Sequence, residues 1–418
     1  FWKIRSKHMI MATGALERPL VFPNNDRPGI MLATAVSGYL HRYGVLAGKH
    51  IVIFTNNSIG HRTAADISKT SAEIVTIVDS RTECFGPWEK ATSEIGIPIR
   101  WQSTVRNTKG RLNLNRVLVQ STSGQRREWL DCDLLAMSGG LSPTINLSVH
   151  TGGKAVWEKS RGVFLPDTHE NDFEAVGLCG GDESLQDCLV NGYVTGQLVA
   201  SNLGYQSGPS WSPTLDGNDP LASEDAALPM LRHSQASSAF VDFQNDVTAA
   251  DMSLAVREGY RSIEHVKRYT TLGMGTDQGK LGNVNGIDLI AKSRGEAVHQ
   301  VGTTRFRPPV VPTSMSAIAG LLDEHVAHPM RRTAAHKLHE EAGAVWINAG
   351  AWLRAECYVR PGESAQEAVN REVISVRNNV GLADVATLGK FEIVGPDSMT
   401  FLERIYSNNF SSLAIGKG

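Results

Sequence analysis

The clearest patterning of apolar and polar positions lies between residues 48 and 80. Ile51-Val52-Ile53-Phe54 is an uninterrupted apolar run, the mark of a strand covered on both faces of a parallel sheet. A polar turn, Thr55-Asn56-Asn57-Ser58, follows it, and residues 60–69 then predict a helix that offers Ala64, Ala65 and Ile67 for packing. A second strand over residues 74–78 ends at Asp79, so the block predicts a βαβ unit. From residue 97 to 133 apolar and polar positions alternate around Gly110 and Gly124, as in hairpins of an antiparallel sheet. Residues 134–140 read as a buried strand running into a glycine turn, residues 176–182 as another strand and turn, and residues 185–201 as a helix. Residues 204–228, rich in Ser, Pro, Gly and Asp, predict a linker. A compact helical stretch over 238–300 follows, with Thr248 as an N-cap and Asp251 in the first turn of a helix. It continues through residues 263–268 to a glycine-rich turn at Gly273-Met274-Gly275. Pro308, Pro309 and Pro312 mark a second boundary. Beyond them, residues 367–378 predict an amphipathic helix and residues 390–394 a strand.

Length and charge narrow the class. A chain of 418 residues exceeds a single core and implies several domains. No apolar run approaches the ~18 residues of a membrane span. Lys plus Arg (41) nearly balances Asp plus Glu (43), so no global field draws nucleic acid or anionic lipid. Cys84, Cys132, Cys179, Cys188 and Cys357 show neither a C-x-x-C pair nor zinc-site spacing, which fits a reducing, cytoplasmic setting. The glycines gather at the ends of apolar runs, where a doubly wound α/β fold needs tight turns. The chain starts at Phe1 almost directly in a buried-type run and ends at Gly418 without a polar tail, and reads as an internal segment of a longer chain.

In a dinucleotide-binding G-x-G-x-x-G turn the glycines allow the strand exit, the approach of the pyrophosphate and the packing of the helix. The corresponding positions here are Thr55, Asn57 and Gly60, so only the packing glycine is kept. Asparagine tolerates a left-handed backbone, and the unit is expected to keep its fold with dinucleotide binding lost or altered. Asp79 stands where an acid would bind a ribose, although a solvated strand-end carboxylate is the plainer reading. His325, His328, His336 and His339 lack an H-E-x-x-H pattern and read as solvated histidines. Lys267 and Arg268 beside Tyr269 read as a surface face, and Trp346 and Trp352 as core packing. For Arg18, an exposed ion pair with a surface carboxylate and a cofactor contact remain equally open.

Several segments carry a family resemblance. Met11-Ala12-Thr13-Gly14-Ala15-Leu16-Glu17-Arg18-Pro19 resembles the strand and loop of two-dinucleotide-domain flavoprotein oxidoreductases, and Cys179-Gly180-Gly181-Asp182 resembles their glycine-aspartate turn. In that family residues 48–135 would be a second nucleotide subdomain inserted into a dinucleotide-binding region over residues 1–205. After a linker at 206–237, residues 241–248 and 266–280 resemble a small iron–sulfur module spanning 238–305. Cluster-bearing relatives have cysteines where this chain has Asp242, Gln244, Asp277 and Gly282, and without thiolates the resemblance implies a clusterless version. Gly381-Leu382-Ala383-Asp384-Val385, residues 389–397 and Phe401-Leu402 resemble the start of the folate-binding aminomethyltransferase (glycine cleavage T-protein) domain, here 313–418. This order of parts is similar to that of the alpha subunits of heterotetrameric sarcosine oxidases. The implied fold is α/β, with doubly wound Rossmann-like nucleotide domains, a small helical clusterless ferredoxin-like module and the start of an α+β folate-binding domain.

The resemblance implies an oxidoreductase acting on the CH–NH group of sarcosine with oxygen as acceptor, and transfer of the one-carbon unit to tetrahydrofolate. It implies NAD on this chain, flavin (FAD or FMN) mainly on a partner subunit, and beta, gamma and delta-type subunits as partners, with no nucleic acid and no membrane. Carried over residue by residue, the cofactor-binding candidates are Thr13, Gly14, Ala15, Gly181 and Asp182. A simple turn requirement weighs equally for the glycines. No catalytic residue and no metal ligand is assigned, because the glycine-rich turn of the first nucleotide domain is expected before Phe1 and the catalytic aspartate of the folate domain after Gly418. Two other readings stand beside this one. A stand-alone NAD(P)H-dependent flavin reductase would carry an intact second glycine turn or a redox C-x-x-C. A non-catalytic scaffold subunit would keep the folds without their ligands, as the altered turn and missing cysteines suggest locally.

Overall fold

The computed structural model describes residues 4–84, 86–150, 153–167, 173–182, 184–206, 208–209, 211, 233–319 and 328–417. The chain divides after residue 313 into two compact units.

The first unit opens with short strands β1 (Met9–Met11), β2 (Ala15–Glu17) and β3 (Ile30–Leu32), and helix α1 (Ala33–Tyr43). The patterned block follows as β4 (His50–Thr55), α2 (Ser58–Ile67) and β5 (Glu73–Asp79), then α3 (Pro87–Glu94) and β6 (Ile99–Arg100). Strands β7 (Ser103–Lys109), β8 (Arg116–Ser121) and β9 (Arg127–Asp131) make an antiparallel sheet before β10 (Leu134–Ser138). Strand β10 then enters a five-stranded parallel sheet of order β3-β10-β4-β5-β6. The alternating stretch 97–133 is therefore hairpins only in its later part, since Ile99 and Arg100 form the parallel edge strand beside β5.

Alternation within β4 explains why its whole apolar run is buried. Val52 and Phe54 pack with Leu135, Met137 and the β8 residues Val117 and Val119 on one face. Ile51 and Ile53 pack with Ala64 and Ile67 of α2 on the other. All four residues of the run are at most 1% exposed, and each such side chain contributes about 1.5–3 kcal/mol.

The chain continues through β11 (Leu141–Pro143), which pairs with β2, a short helix α4 (Asn146–His150), and the hairpin β12 (Ala155–Glu158) and β13 (Val163–Pro166). Strand β14 (Phe173–Ala175) lies parallel to β1. Residues 176–182 are not a strand and turn as expected. The strand ends at Ala175, and Gly177–Cys179 is a single 3-10 turn because Gly177 adopts φ +70°, which ends extended pairing. Helix α5 (Leu185–Asn202) follows. Most of the expected linker, residues 212–232, lies outside the described residues, as does His325.

The helical stretch contains a two-stranded ribbon, β15 (Phe240–Asp242) and β16 (Val247–Thr248), and helices α6 (Ala249–Arg257), α7 (Ile263–Thr270), α8 (Asn283–Arg294) and α9 (Val298–Val301). The Asp251 carboxylate accepts hydrogen bonds from the Thr248 backbone N–H and hydroxyl, both at 2.8 Å, which fixes the start of α6. Val241, Met252, Val266, Leu272 and Ile290 share one core with Met11, Phe173 and Cys179, so this stretch is continuous with the nucleotide-type region.

The second unit holds a helix at His336–Glu341, a hairpin of β17 (Ala344–Ala349) and β18 (Trp352–Tyr358), and a helix at Ala365–Asn378. Ser364 and Glu367 cap the latter reciprocally. Residues 390–394 form no strand. No described strand pairs with them, and an extended run needs a neighbour for its N–H and C=O groups. Phe391 is accordingly 90% exposed. Trp346 and Trp352 are half-buried rather than core residues. Trp346 stacks on the His336 ring at 4.3 Å, and the Arg331 guanidinium lies over Trp352. No helix among the described residues is long and apolar enough to cross a membrane.

Candidate functional site

Parallel pairing of β1 with β14 carries the chain from their carboxyl ends into two neighbouring turns. The Thr13 hydroxyl reaches the Thr144 carbonyl at 2.7 Å and the Cys179 sulfur at 3.1 Å. The Thr144 N–H donates to the Gly14 carbonyl at 2.9 Å. Asp182 closes the other turn, accepting from the Gly177 N–H at 2.7 Å and from Asn191 Nδ2 at 2.5 Å. Gly14 has φ +68°, and the direction a side chain would take is open for 4 Å. Gly181 has φ +93° and sits against Arg161, which donates to its carbonyl. Ala15 begins β2, opposite Pro143. The structure thus brings Thr13 and Gly14 next to the Gly177–Asp182 turn at the carboxyl ends of parallel strands, the position at which α/β sheets take ligands. The bare face of Gly14 fits close approach by a nucleotide. With one oxygen engaged in the turn and the other by Asn191 of α5, Asp182 acts on the shape of the turn and ties it to that helix.

Arg18 pairs with no surface carboxylate. It is 0% exposed, its Nε and Nη2 donate to the Gly139 carbonyl at 3.0 and 2.8 Å, and its Nη1 donates to Gly162 at 3.0 Å. Burial lowers its pKa to about 10, which still leaves it charged at neutral pH. Sequence reasoning misses this because both carbonyls lie more than 120 residues away.

The second glycine-type turn is filled by its own side chains. Thr55, Asn56 and Asn57 are at most 2% exposed. Asn57 Oδ1 accepts from the Ile59 N–H at 2.9 Å and caps α2, while its Nδ2 donates to the Ser138 carbonyl at 3.1 Å. A Cβ at Gly60 would fall 2.5 Å from that of Thr55, which is the packing role expected of the third glycine. These residues do not fit a pyrophosphate. Asp79 is not a solvated carboxylate either, being 0% exposed. It lies 3.0 Å from His61 Nε2 and accepts from Arg81 Nη2 at 2.7 Å. Arg81 also reaches Glu89 at 2.8 Å, and Glu89 accepts from Ser58 at 2.7 Å. Burial alone would raise the Asp79 pKa, but His61 and Arg81 outweigh it and hold the carboxyl below its ordinary value. The acid that could have met a ribose is therefore held by a guanidinium and an imidazole of its own chain.

The positions at which the resemblance implies cysteines in cluster-bearing proteins form a hydrogen-bonded knot. Asp242 accepts from the N–H groups of Gln244 and Gly273 at 2.9 and 2.7 Å. Gln244 Oε1 accepts from the Asp277 N–H at 3.2 Å, and Asp277 from the Gly279 N–H at 2.9 Å. A Cβ at Gly282 would lie 2.4 Å from the Val241 carbonyl oxygen. With no thiolate and no room at Gly282, the residues present do not fit an iron–sulfur cluster.

One cluster in the second unit escaped the reading of the sequence. His339 is not solvated; its Nδ1 lies 2.6 Å from the Tyr358 hydroxyl and its Nε2 2.9 Å from Asp384 Oδ2. Thr333 donates to the same oxygen at 2.9 Å. The Ala386 N–H, His339 and Thr333 hold Asp384 down at about 2. No spacing rule links these residues, which come together only when the hairpin folds. Among the described residues no group of three or more His, Cys, Asp or Glu side chains could hold a metal ion.

The fold defines a class first: a Rossmann-like α/β architecture, shared with the crystal structure of L-proline dehydrogenase from P. horikoshii. That likeness has a TM-score of 0.57 at 18% identity and covers 75% of this chain and 59% of the other. Residues 236–321 match the Sarcosine oxidase A3 domain family and residues 335–418 the GCVT N-terminal domain family. The chain is 40% identical over 419 aligned positions to Sarcosine oxidase subunit alpha of Rhizobium meliloti (strain 1021), covering all of this chain and 41% of the relative. It is 36% identical over 440 positions to the same subunit of Corynebacterium sp. (strain U-96), covering 100% and 44%. Along its whole length the chain is thus similar to part of these sarcosine oxidase alpha subunits, and it spans less than half the length of these relatives.

Proposed function

We propose that this chain is part of the alpha subunit of a multi-subunit sarcosine oxidase, supporting oxidative demethylation of sarcosine with transfer of the one-carbon unit to tetrahydrofolate. The observation that carries the reading is the succession, on one chain, of a Rossmann-like region, an A3-type module and a GCVT-type unit, aligned end to end with alpha subunits. Thr13, Gly14, Ala15, Gly181 and Asp182 would hold the nucleotide cofactor of this chain, NAD in the form we favour. Thr13 and Asp182 keep the two turns in register, and Gly14 leaves the approach open. A bound nicotinamide would supply hydride chemistry. The filled turn at Thr55–Asn57 supports placing one nucleotide on this chain, at the first site. Flavin-bearing partner subunits and a cytoplasmic location complete the reading.

Denaturing the intact protein and analysing released nucleotides by mass spectrometry tests it. NAD released without covalent flavin is the expected result, with retention reduced in Asp182→Ala. Release of FAD instead would favour a stand-alone reductase, and release of no nucleotide a scaffold.

A further inference from the structure

The loop that joins β8 to β9 and the carboxyl end of β6, the edge strand of the parallel sheet, border an open hollow of about 830 Å³, within the range of small-molecule sites. Parallel α/β sheets take their ligands at the carboxyl ends of strands, and β6 ends here at Arg100. None of the five nucleotide-site candidates lines the hollow. Ile99 and Trp101 give it an apolar side, and Trp101 is steadied by stacking on the His61 ring at 5.5 Å. The charged lining is Arg100, Arg126, Arg127 and Glu128, so three guanidinium groups less one carboxylate leave two positive charges. Glu128 is engaged by Arg100 at 2.8 Å. Arg126 and Arg127 are exposed, and neither side chain has an ion-pair partner among the described residues. The loop that presents Arg126 is closed at its base, where the Ser121 hydroxyl accepts from the Arg126 N–H at 3.3 Å and the Ser121 N–H donates to the Arg126 carbonyl at 3.0 Å.

We propose that this hollow binds a phosphate monoester carried on a small apolar body. Guanidinium groups offer paired N–H donors that match phosphate oxygens, and a monoester carries about −2 at neutral pH, which balances the lining. The phosphate would accept from Arg126 and Arg100, with Arg127 adding charge at the rim and the apolar body against Ile99 and Trp101. Binding is reversible and non-covalent, and it is independent of the function proposed above.

Phenyl phosphate is the probe, followed by calorimetric titration and phosphorus NMR on the intact protein. Saturable binding is expected, weaker for inorganic phosphate, which lacks the ring, and for phenyl sulfate, which carries a single charge. Arg126→Gln combined with Arg127→Gln should weaken it about tenfold. Glu128→Gln should strengthen it about threefold by releasing Arg100, and Arg42→Gln, altering an exposed arginine of α1, should leave it unchanged. All four side chains are exposed, so these variants fold, which thermal unfolding checks. Absence of saturable binding, equal affinity for phenyl sulfate, or affinity unaltered by the double arginine variant or by Glu128→Gln overturns the proposal and leaves the arginines as solvated charge.

Discussion

A guanidinium sealed away from carboxylates, as at Arg18, is tolerated only because carbonyls of Gly139 and Gly162 meet its N–H groups. Arg18→Met leaves those acceptors buried without their donor and is expected to cost about 3 kcal/mol, read as a lowered denaturation midpoint in urea. Glu17 presents the opposite case. It is 6% exposed, and burial raises its pKa above the ordinary 4.5 even though Thr34 donates to Oε2. The folded form therefore keeps its proton where the unfolded form has lost it, so stability is full below the ordinary value and falls as pH rises through the folded one. Glu17→Gln should match the parent at acidic pH and exceed it near neutrality, as unfolding titrations at a series of pH values would show. Neither residue is legible from its neighbours in sequence. A strand-end Glu-Arg pair looks like surface, and only the return of residues 138–140 beside it reveals a buried site. Thr13 and Asp182 stand out in the sequence because each sits in a short motif whose turn geometry is local, whereas the His339 cluster depends on a hairpin and a distant loop.

At the level of elements, the βαβ unit could be read early, since the β-branched run Ile51-Val52-Ile53 with Phe54, bounded by a polar turn, has the length and composition of a doubly covered strand. Residues 390–394 misled for a related reason: apolar character favours extension but supplies no neighbouring strand. The ribbon and helices of residues 240–301 are held in shape by side-chain amides and carboxylates that accept from backbone N–H groups. Gly282→Ala should destabilise this module by about 1–3 kcal/mol through overpacking, since the new Cβ meets the Val241 carbonyl. Hydrogen exchange around β15 should accelerate correspondingly. Installing cysteines at Asp242, Gln244, Asp277 and Gly282 should yield no iron–sulfur absorption, and a cluster that assembled would contradict the fit described above.

Across the whole molecule the two units differ in how much they bury. The first has layered cores on both faces of its parallel sheet. In the second, Cys357 and Ala368 are the only buried hydrophobic residues among those described, while Val380, Leu382 and Val394 are 82% exposed or more. So little buried area cannot offset the entropy of ordering a unit of this size. The 418-residue chain studied alone should therefore bind a hydrophobic dye through its second unit, and deletion of residues 314–418 should remove most of the signal. Within the first unit, the backbone leaves at Arg18 and is back at Gly139, 121 positions later, where Arg18 N–H bonds to Gly140 and Gly139 N–H to Arg18. The block between is also tied to the later helical stretch, where the Asn24 N–H donates to the Ser238 carbonyl and Asn25 both donates to and accepts from Phe240. It is therefore a graft rooted at two places, and excising it across Arg18 and Gly139 would also strip the ribbon at Phe240 of an anchor.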